Sequence, residues 1–212
     1  MELLRILQPL TGPPFRLAPM GVVMLLIGSA FCVYLAPVEM SEGYSWLSNS
    51  ISESAAQGLQ HAWIARLGFL FFGLAILWLA LYRRPIWARG VFCMQLTFAL
   101  FMLGTATFSH KPWVSGVSFD PVEDLLHSIT ATGMGFAFSL GVVVRFLQRD
   151  KNKFLQRSYD VAAILAATVL TPIGIMLPSS AGLLQRVMFG VAYLWFVHEA
   201  VYPDCSFLRW RR

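Results

Sequence analysis

Long apolar runs alternate with short polar stretches along this chain. Six windows, roughly 17–37, 62–82, 88–109, 122–145, 159–177 and 183–202, reach the length of about 20 mostly apolar residues that a helix needs to cross a bilayer. Their ends carry helix stop and start signals. Pro37 follows the first run, Arg83-Arg84-Pro85 closes the second, and Leu177-Pro178 closes the fifth. The fourth opens on Asp120-Pro121-Val122-Glu123, an N-cap, a proline at the first helical position and an acid in the first turn. The fifth contains Pro172, so its limits are the least sharply drawn. The pattern predicts an all-α protein, a polytopic six-transmembrane-helix bundle.

Composition agrees with lipid as the solvent. The 212 residues are 57% hydrophobic and 13% charged, with a mean hydropathy of +0.64, and the charges bunch between the apolar runs. No stretch is polar enough for a soluble domain, so residues 1–212 are expected to form a single membrane domain. The opening MELLRILQPLTGPPFR and the run after it lack a clear small-x-small cleavage site, and the run is read as a retained first span. A net charge of +5 does not indicate nucleic acid, because the basic residues do not line one continuous face. Cys32, Cys93 and Cys205 show no CxxC spacing and imply no disulfide framework.

Charge decides the orientation. Arg5, Arg16, Arg83, Arg84, Arg89, Arg145, Arg149, Lys151, Lys153, Arg157, Arg209, Arg211 and Arg212 fall on one side, thirteen in all; only Lys111, Arg66 and Arg186 fall on the other. Lysine and arginine accumulate on the cytoplasmic side of membrane proteins. Both termini are therefore expected in the cytoplasm, and the protein in a cytoplasmic (inner) membrane. An odd number of spans would destroy this alternation.

The side poor in arginine is the chemically varied one. Its first loop, about 38–61, contains Ser48-Asn49-Ser50-Ile51-Ser52-Glu53, and Leu47, Ile51, Ala55 and Leu59 recur every four residues, which suggests a short amphipathic helix on the bilayer surface. The second reads SHKPWVSGVSFDPVEDLLH. The stretch ISESAAQGLQHAWIARLGFLFFGLAILWLAL resembles the family of domain-of-unknown-function 998, a group of bacterial and archaeal multi-span membrane proteins, in which an Ile-Ser-Glu segment runs through a Gly and a His into a Gly-containing span. FSHKPWVSGVSFDPVEDLLHSITATGMGFAF is similar to that family's second marked region, an outer loop followed by a His at the head of a Gly-rich helix. Many relatives have Phe-Pro-x-Asp where this chain has Phe108-Ser109-His110-Lys111, so a role tied to that acid does not transfer. The resemblance spans roughly residues 15–205 and implies a multi-span bundle, with no settled activity.

Candidate chemistry gathers at the same side. His61, His110 and His127 all fall near the outer ends of their helices. Asp124 and Glu123 precede His127 by about one turn and can share its face. Three neutral imidazoles with a carboxylate could hold zinc and activate water; a metal-free, proton-responsive polar cluster and plain interfacial histidines are the alternatives. No HExxH, HxxxH or paired CxxC supports the metal. Arg66 and Arg186 sit about one turn inside their helices, where a charge needs a partner. Glu53, Glu123 and Asp124 are the candidate ion partners, an anion cradle is the functional alternative, and snorkelling to headgroups is a third. His198 and Glu199, in the last span, are either a functional pair or inner-surface residues. Ser50, Ser52 and Glu53 read as a helix start rather than a nucleophile with its base. Gly68, Gly73, Gly133, Gly135, Ser139 and Gly141 should allow close helix approach and make the second and fourth spans central.

Three functions follow. The first is a carrier of a lipid or other amphiphile, bound in an outward polar pocket around Ser52, Glu53, His61, Arg66, His110, Asp124, His127 and Arg186. The second is a metal-assisted membrane hydrolase using His61, His110 and His127. The third is an accessory subunit or assembly factor contacting another membrane protein, or a homo-oligomer. A channel or pump ranks lower, for want of mid-span charges.

Overall fold

The computed structural model describes residues 17–40 and 43–202. Arg5, Arg16, Glu42, Asp204, Cys205, Arg209, Arg211, Arg212 and both termini, to which parts of the orientation argument refer, lie outside the described residues.

Six helical segments among the described residues are long and apolar enough to cross a membrane, and the chain is a polytopic membrane protein. Helix α1 (Ala18–Leu35) runs on through a 3-10 turn, Ala36–Glu39. A single turn, α2 (Ile51–Ser54), follows in the first loop. Then come α3 (Ala62–Arg83), α4 (Arg89–Thr107) and α5 (Pro121–Gln148). The fifth span is composite: α6 (Phe154–Leu165), a π-helical turn (Ala166–Leu170) and α7 (Thr171–Met176). Pro172 accounts for the join, since its ring collides with the carbonyl one turn back and a wider turn relieves the clash. Helix α8 (Ala181–Val201) completes the bundle.

The amphipathic helix expected in the first loop is confined to α2. Ser50 and Glu53 close a capping box at its start, and Ile51 and Ala55 are buried in the bundle while Leu47 is exposed. One turn cannot present the four-residue repeat as a continuous face. Gly58 then adopts φ +72°, a left-handed conformation, and leads the chain into α3.

Neighbours in sequence are neighbours in space: α1 against α3, α3 against α4, α4 against α5, α5 against α6, and α8 back against α6 and α1. The small residues of α3 and α5 therefore do not face each other. Gly73 meets Leu103, Gly133 meets Phe101 and Gly141 meets Gln95, all on α4, whereas Gly68 meets Ser29 and Val33 of α1. A methyl at Gly73 would lie 2.7 Å from Leu103 Cδ2. Gly135 has open space around it. The intervening α4 is the common partner.

Aromatic rings fill the middle of the ring of helices. Phe72 of α3 is the hub: it stacks on Tyr193 at 4.5 Å and makes edge contacts with Phe98 at 5.5 Å, Phe196 at 5.7 Å and Phe189 at 6.0 Å. Tyr193 is oriented by its hydroxyl, 2.7 Å from that of Ser29, whose own hydroxyl donates to the Gly68 carbonyl. In lipid there is no hydrophobic drive between helices, so this close packing supplies much of their association. Gln95 is buried in α4, and neither amide atom has a hydrogen-bond partner among the described residues.

Replacing Phe72 with Ala should therefore cost about 3 kcal/mol in reversible unfolding from mixed micelles, and replacing lipid-facing Leu140 less than about 1 kcal/mol. Gln95→Met removes an unsatisfied amide and is expected to leave stability unchanged or raise it.

Candidate functional site

Alternating spans give the bundle two polar ends. One carries His61, His110 and His127; the other carries Arg83, Arg145 and Arg149. These are called the histidine end and the arginine end.

At the histidine end the loop after α4 is tied to the first turns of α5. The Ser109 amide donates to Glu123 Oε1 at 2.8 Å, the Lys111 amide to Asp124 Oδ1 at 2.7 Å, and Asp120 caps α5 through the Val122 amide. Gln57 joins the first loop to this knot through the Ser109 and Asp120 carbonyls and the Asp120 amide. The rings of His110 and His127 meet edge-on at 5.4 Å, His127 Nδ1 lies 2.8 Å from the Phe108 carbonyl, and His110 Nε2 lies 3.9 Å from Asp124 Oδ1. His127 is buried, and its Nε2 has no hydrogen-bond partner among the described residues. His61 takes the N-cap position of α3 without a side-chain capping bond. Among the described residues no three His, Cys, Asp or Glu side chains are placed to hold a metal ion. Of the three histidines, His110 and His127 meet beside Asp124, while His61 stands at the start of α3.

Neither arginine at this end forms the expected ion pair. Arg66 donates to the carbonyls of Ala55 and Ala56, at 3.1 and 3.4 Å, which the one-turn α2 leaves unsatisfied. Arg186 is clasped by the carbonyls of Trp46, Asn49 and Gly182, at 2.8–3.0 Å, and by the Tyr44 hydroxyl at 2.7 Å, with its guanidinium 4.5 Å over the Trp46 ring. Burial pushes the Tyr44 phenol above its ordinary range, against the pull of Arg186, so it keeps its proton and donates to the Ser50 carbonyl. Only glycine fits at 182, where a Cβ would strike the Asn49 carbonyl. Glu53 is spent on the capping box and Asn49; Ser52 sits half-buried in α2. These residues fasten the first loop to α3 and α8.

The denser arrangement is at the arginine end, where the arginines served the orientation count and Glu199 was read with His198 as a functional pair or as inner-surface residues. Arg145, Arg149, Asp160 and Glu199 are at most 3% exposed. Arg149 grips Asp160 with two bonds, at 2.6 and 3.3 Å, and also donates to Glu199 Oε1. Arg145 reaches Glu199 Oε2 at 3.2 Å. Indole N–H groups complete the carboxylates: Trp87 donates to Glu199 at 2.9 Å and Trp195 to Asp160 at 2.8 Å. Arg83 caps the end of α8 through the carbonyls of Glu199 and Ala200, both at 2.8 Å. His198 lies between the rings of Tyr159 and Tyr202, at 4.8 and 5.3 Å. One network thus fastens α3, α5, α6 and α8.

The groove nearest this network opens sideways between α5 and α6. It encloses about 400 Å³ and is lined by Phe146 of α5 and by Phe154, Arg157, Val161, Ala162 and Leu165 of α6. A second groove, about 220 Å³, lies between α7 and α8 at the histidine end, beside Ser50 and Gln185. Neither is lined by His61, Arg66, His110, Asp124 or His127.

The model of one family, described as proteins of unknown function (DUF998), matches residues 21–202, most of the chain and every span among the described residues. The chain belongs to that family. Comparison with curated proteins and with solved structures returns no match. In this DUF998 protein the two marked sequence regions build the histidine-end knot, whereas the buried ion network draws on Arg83, Trp87, Arg145, Arg149, Asp160, Trp195 and Glu199. The sequence held one signal for the latter: acids at 160 and 199 inside apolar spans, which require cationic partners, and Arg145 and Arg149 one helical turn apart.

Glu199→Gln should destabilise the bundle by about 3 kcal/mol, because it leaves two buried guanidiniums short of a charge. Glu39→Gln, at an exposed residue with no such contacts among the described residues, should change stability by less than about 0.5 kcal/mol in the same unfolding assay.

Proposed function

We propose that this protein is a binding protein of the bacterial inner membrane that takes up a lipid or similar amphiphile sideways, through the groove between α5 and α6, with the arginine end in the cytoplasm. The observation that carries this reading is the pairing of an apolar groove with a guanidinium at its polar end. Phe154–Leu165 is the twelve residues of α6, about 16 Å from first to last at 1.5 Å rise per residue. That is close to half of the roughly 30 Å hydrocarbon core, the depth of one leaflet. An acyl chain can lie lengthwise along such an open groove. Arg157 at the groove's shallow end would meet a headgroup where exposed Lys151 and Lys153 also stand.

The packing favours lateral uptake over passage through the bundle. Rings from α3, α4, α5 and α8 occupy the middle, while the fifth span, α6 through α7, is the least buried of the six. The crowding of Arg83, Arg84, Arg89, Arg145, Arg149, Lys151, Lys153 and Arg157 at one end supports its cytoplasmic placement.

Native mass spectrometry of protein extracted in mild neutral detergent should find a co-purifying amphiphile. Val161→Trp, which fills the groove from an exposed position, should reduce its occupancy at least about fivefold; on ligand-binding arithmetic that is a loss of roughly 1 kcal/mol. Unchanged occupancy would contradict the reading. For orientation, a cysteine at Lys151 should resist a membrane-impermeant thiol reagent in intact cells while one at Ser118 reacts; the reverse result would invert the bundle.

A further inference from the structure

Arg157 is held in an unusual way for a cation at a bilayer surface. Its guanidinium lies 3.8 Å over the Phe146 ring, and among the described residues only Nη1 donates, to the carbonyls of Phe146 and Arg149 at 3.2 and 3.3 Å. No carboxylate lies within ion-pair distance among the described residues: Asp160, one turn further along α6, is taken by Arg149 and Trp195. The Nε and Nη2 donors make no hydrogen bond to the described residues, and neither is sealed from its surroundings. Those two N–H groups form the parallel fork that grips two oxygens of one phosphate. Stacking on Phe146 and the two carbonyl bonds fix the fork in place before anything binds, which lowers the ordering cost of binding.

We propose that Arg157 is the headgroup receptor of the groove, and that it selects an anionic phospholipid of the same leaflet by bidentate contact with its phosphate. This rests on the groove reading above, and adds to it the chemical class of the occupant. The lipid's phosphate meets the Nε and Nη2 edge, and one acyl chain descends past Val161 and Ala162 to Leu165. A zwitterionic lipid presents the same phosphate, but once the Arg157 fork fixes that phosphate by two oxygens, its ammonium group is held against the guanidinium itself. Repulsion there, more than from Lys151 and Lys153 in the loop, sets the preference. The neighbouring Arg149 adds little, because Asp160 and Glu199 neutralise it.

The test is competition. Purified full-length protein is equilibrated with equal amounts of phosphatidylglycerol and phosphatidylcholine carrying the same acyl chains, and bound lipid is counted by native mass spectrometry. The wild type should prefer the anionic lipid by about tenfold, and Arg157→Gln should lower this to below about twofold while a lipid still binds. Arg157→Lys keeps the charge but not the fork, and should fall between. If Arg157→Gln does not fold, the Lys variant decides: full preference in it overturns the proposal. The double change Lys151→Gln and Lys153→Gln should keep more than half of the preference; loss of the preference there, with Arg157→Gln unaffected, assigns selection to the loop and overturns the proposal. Val161→Trp separates the two readings. If it displaces lipid but Arg157→Gln leaves selectivity intact, the headgroup assignment fails alone. If it displaces nothing, the groove reading fails with it.

Discussion

A guanidinium or carboxylate at the edge of the hydrocarbon must either reach water or be surrounded by opposite charge and hydrogen bonds. In this bundle the second solution governs one end. Arg149 stands between Asp160 of α6 and Glu199 of α8, Arg145 shares Glu199, and two indoles close the remaining acceptor positions. Because the members come from separate helices, no helix can shift without uncovering a charge. The aromatic centre supplies contact area, and van der Waals packing tolerates small slides. The ion network does not, and it fixes the relative height and rotation of α3, α5, α6 and α8.

The groove depends on this arrangement. Arg157 hangs from the carbonyl of Arg149, and Asp160 anchors α6 one turn below it. The lipid-facing side of α6 is therefore held rigidly at its shallow end. Deeper in the membrane the same span relaxes through the π-turn that accommodates Pro172. The histidine end uses a different chemistry, with arginines satisfied by main-chain carbonyls and a loop stitched to α5 by its acids. Four buried polar atoms at that end, the Ser109 hydroxyl, the Trp113 indole nitrogen, Arg186 Nε and His127 Nε2, have no hydrogen-bond partner among the described residues.

Much of the fold was legible in the sequence because each span must be apolar over a length set by the bilayer, and because Pro121, Asp120 and Arg83 mark helix ends by local chemistry. The sites were less legible. His61, His110 and His127 share a depth, and depth is readable, but rotation about each helix axis is not; His110 and His127 meet while His61 joins no ligand set. Arg66 and Arg186 were expected beside acids, yet carbonyls freed by the short α2 and the first loop satisfy them, and loop backbones leave no trace in side-chain pattern. Arg145 and Arg149 read as surface anchors because charge counting treats every arginine at a span end alike. The helix of α5 extends to Gln148 and carries both inward, opposite acids contributed by spans much later in the chain.

The most direct measurement is a double-mutant cycle between Arg149 and Glu199, with Arg149→Met, Glu199→Leu and the double variant unfolded reversibly from mixed micelles. If the network sets the geometry of the bundle, each single change is strongly destabilising and the pair recovers at least about 2 kcal/mol of the summed loss. Additive losses, equal within about 0.5 kcal/mol, would mean that the two residues do not sense each other and that the arginine end is held together by something else.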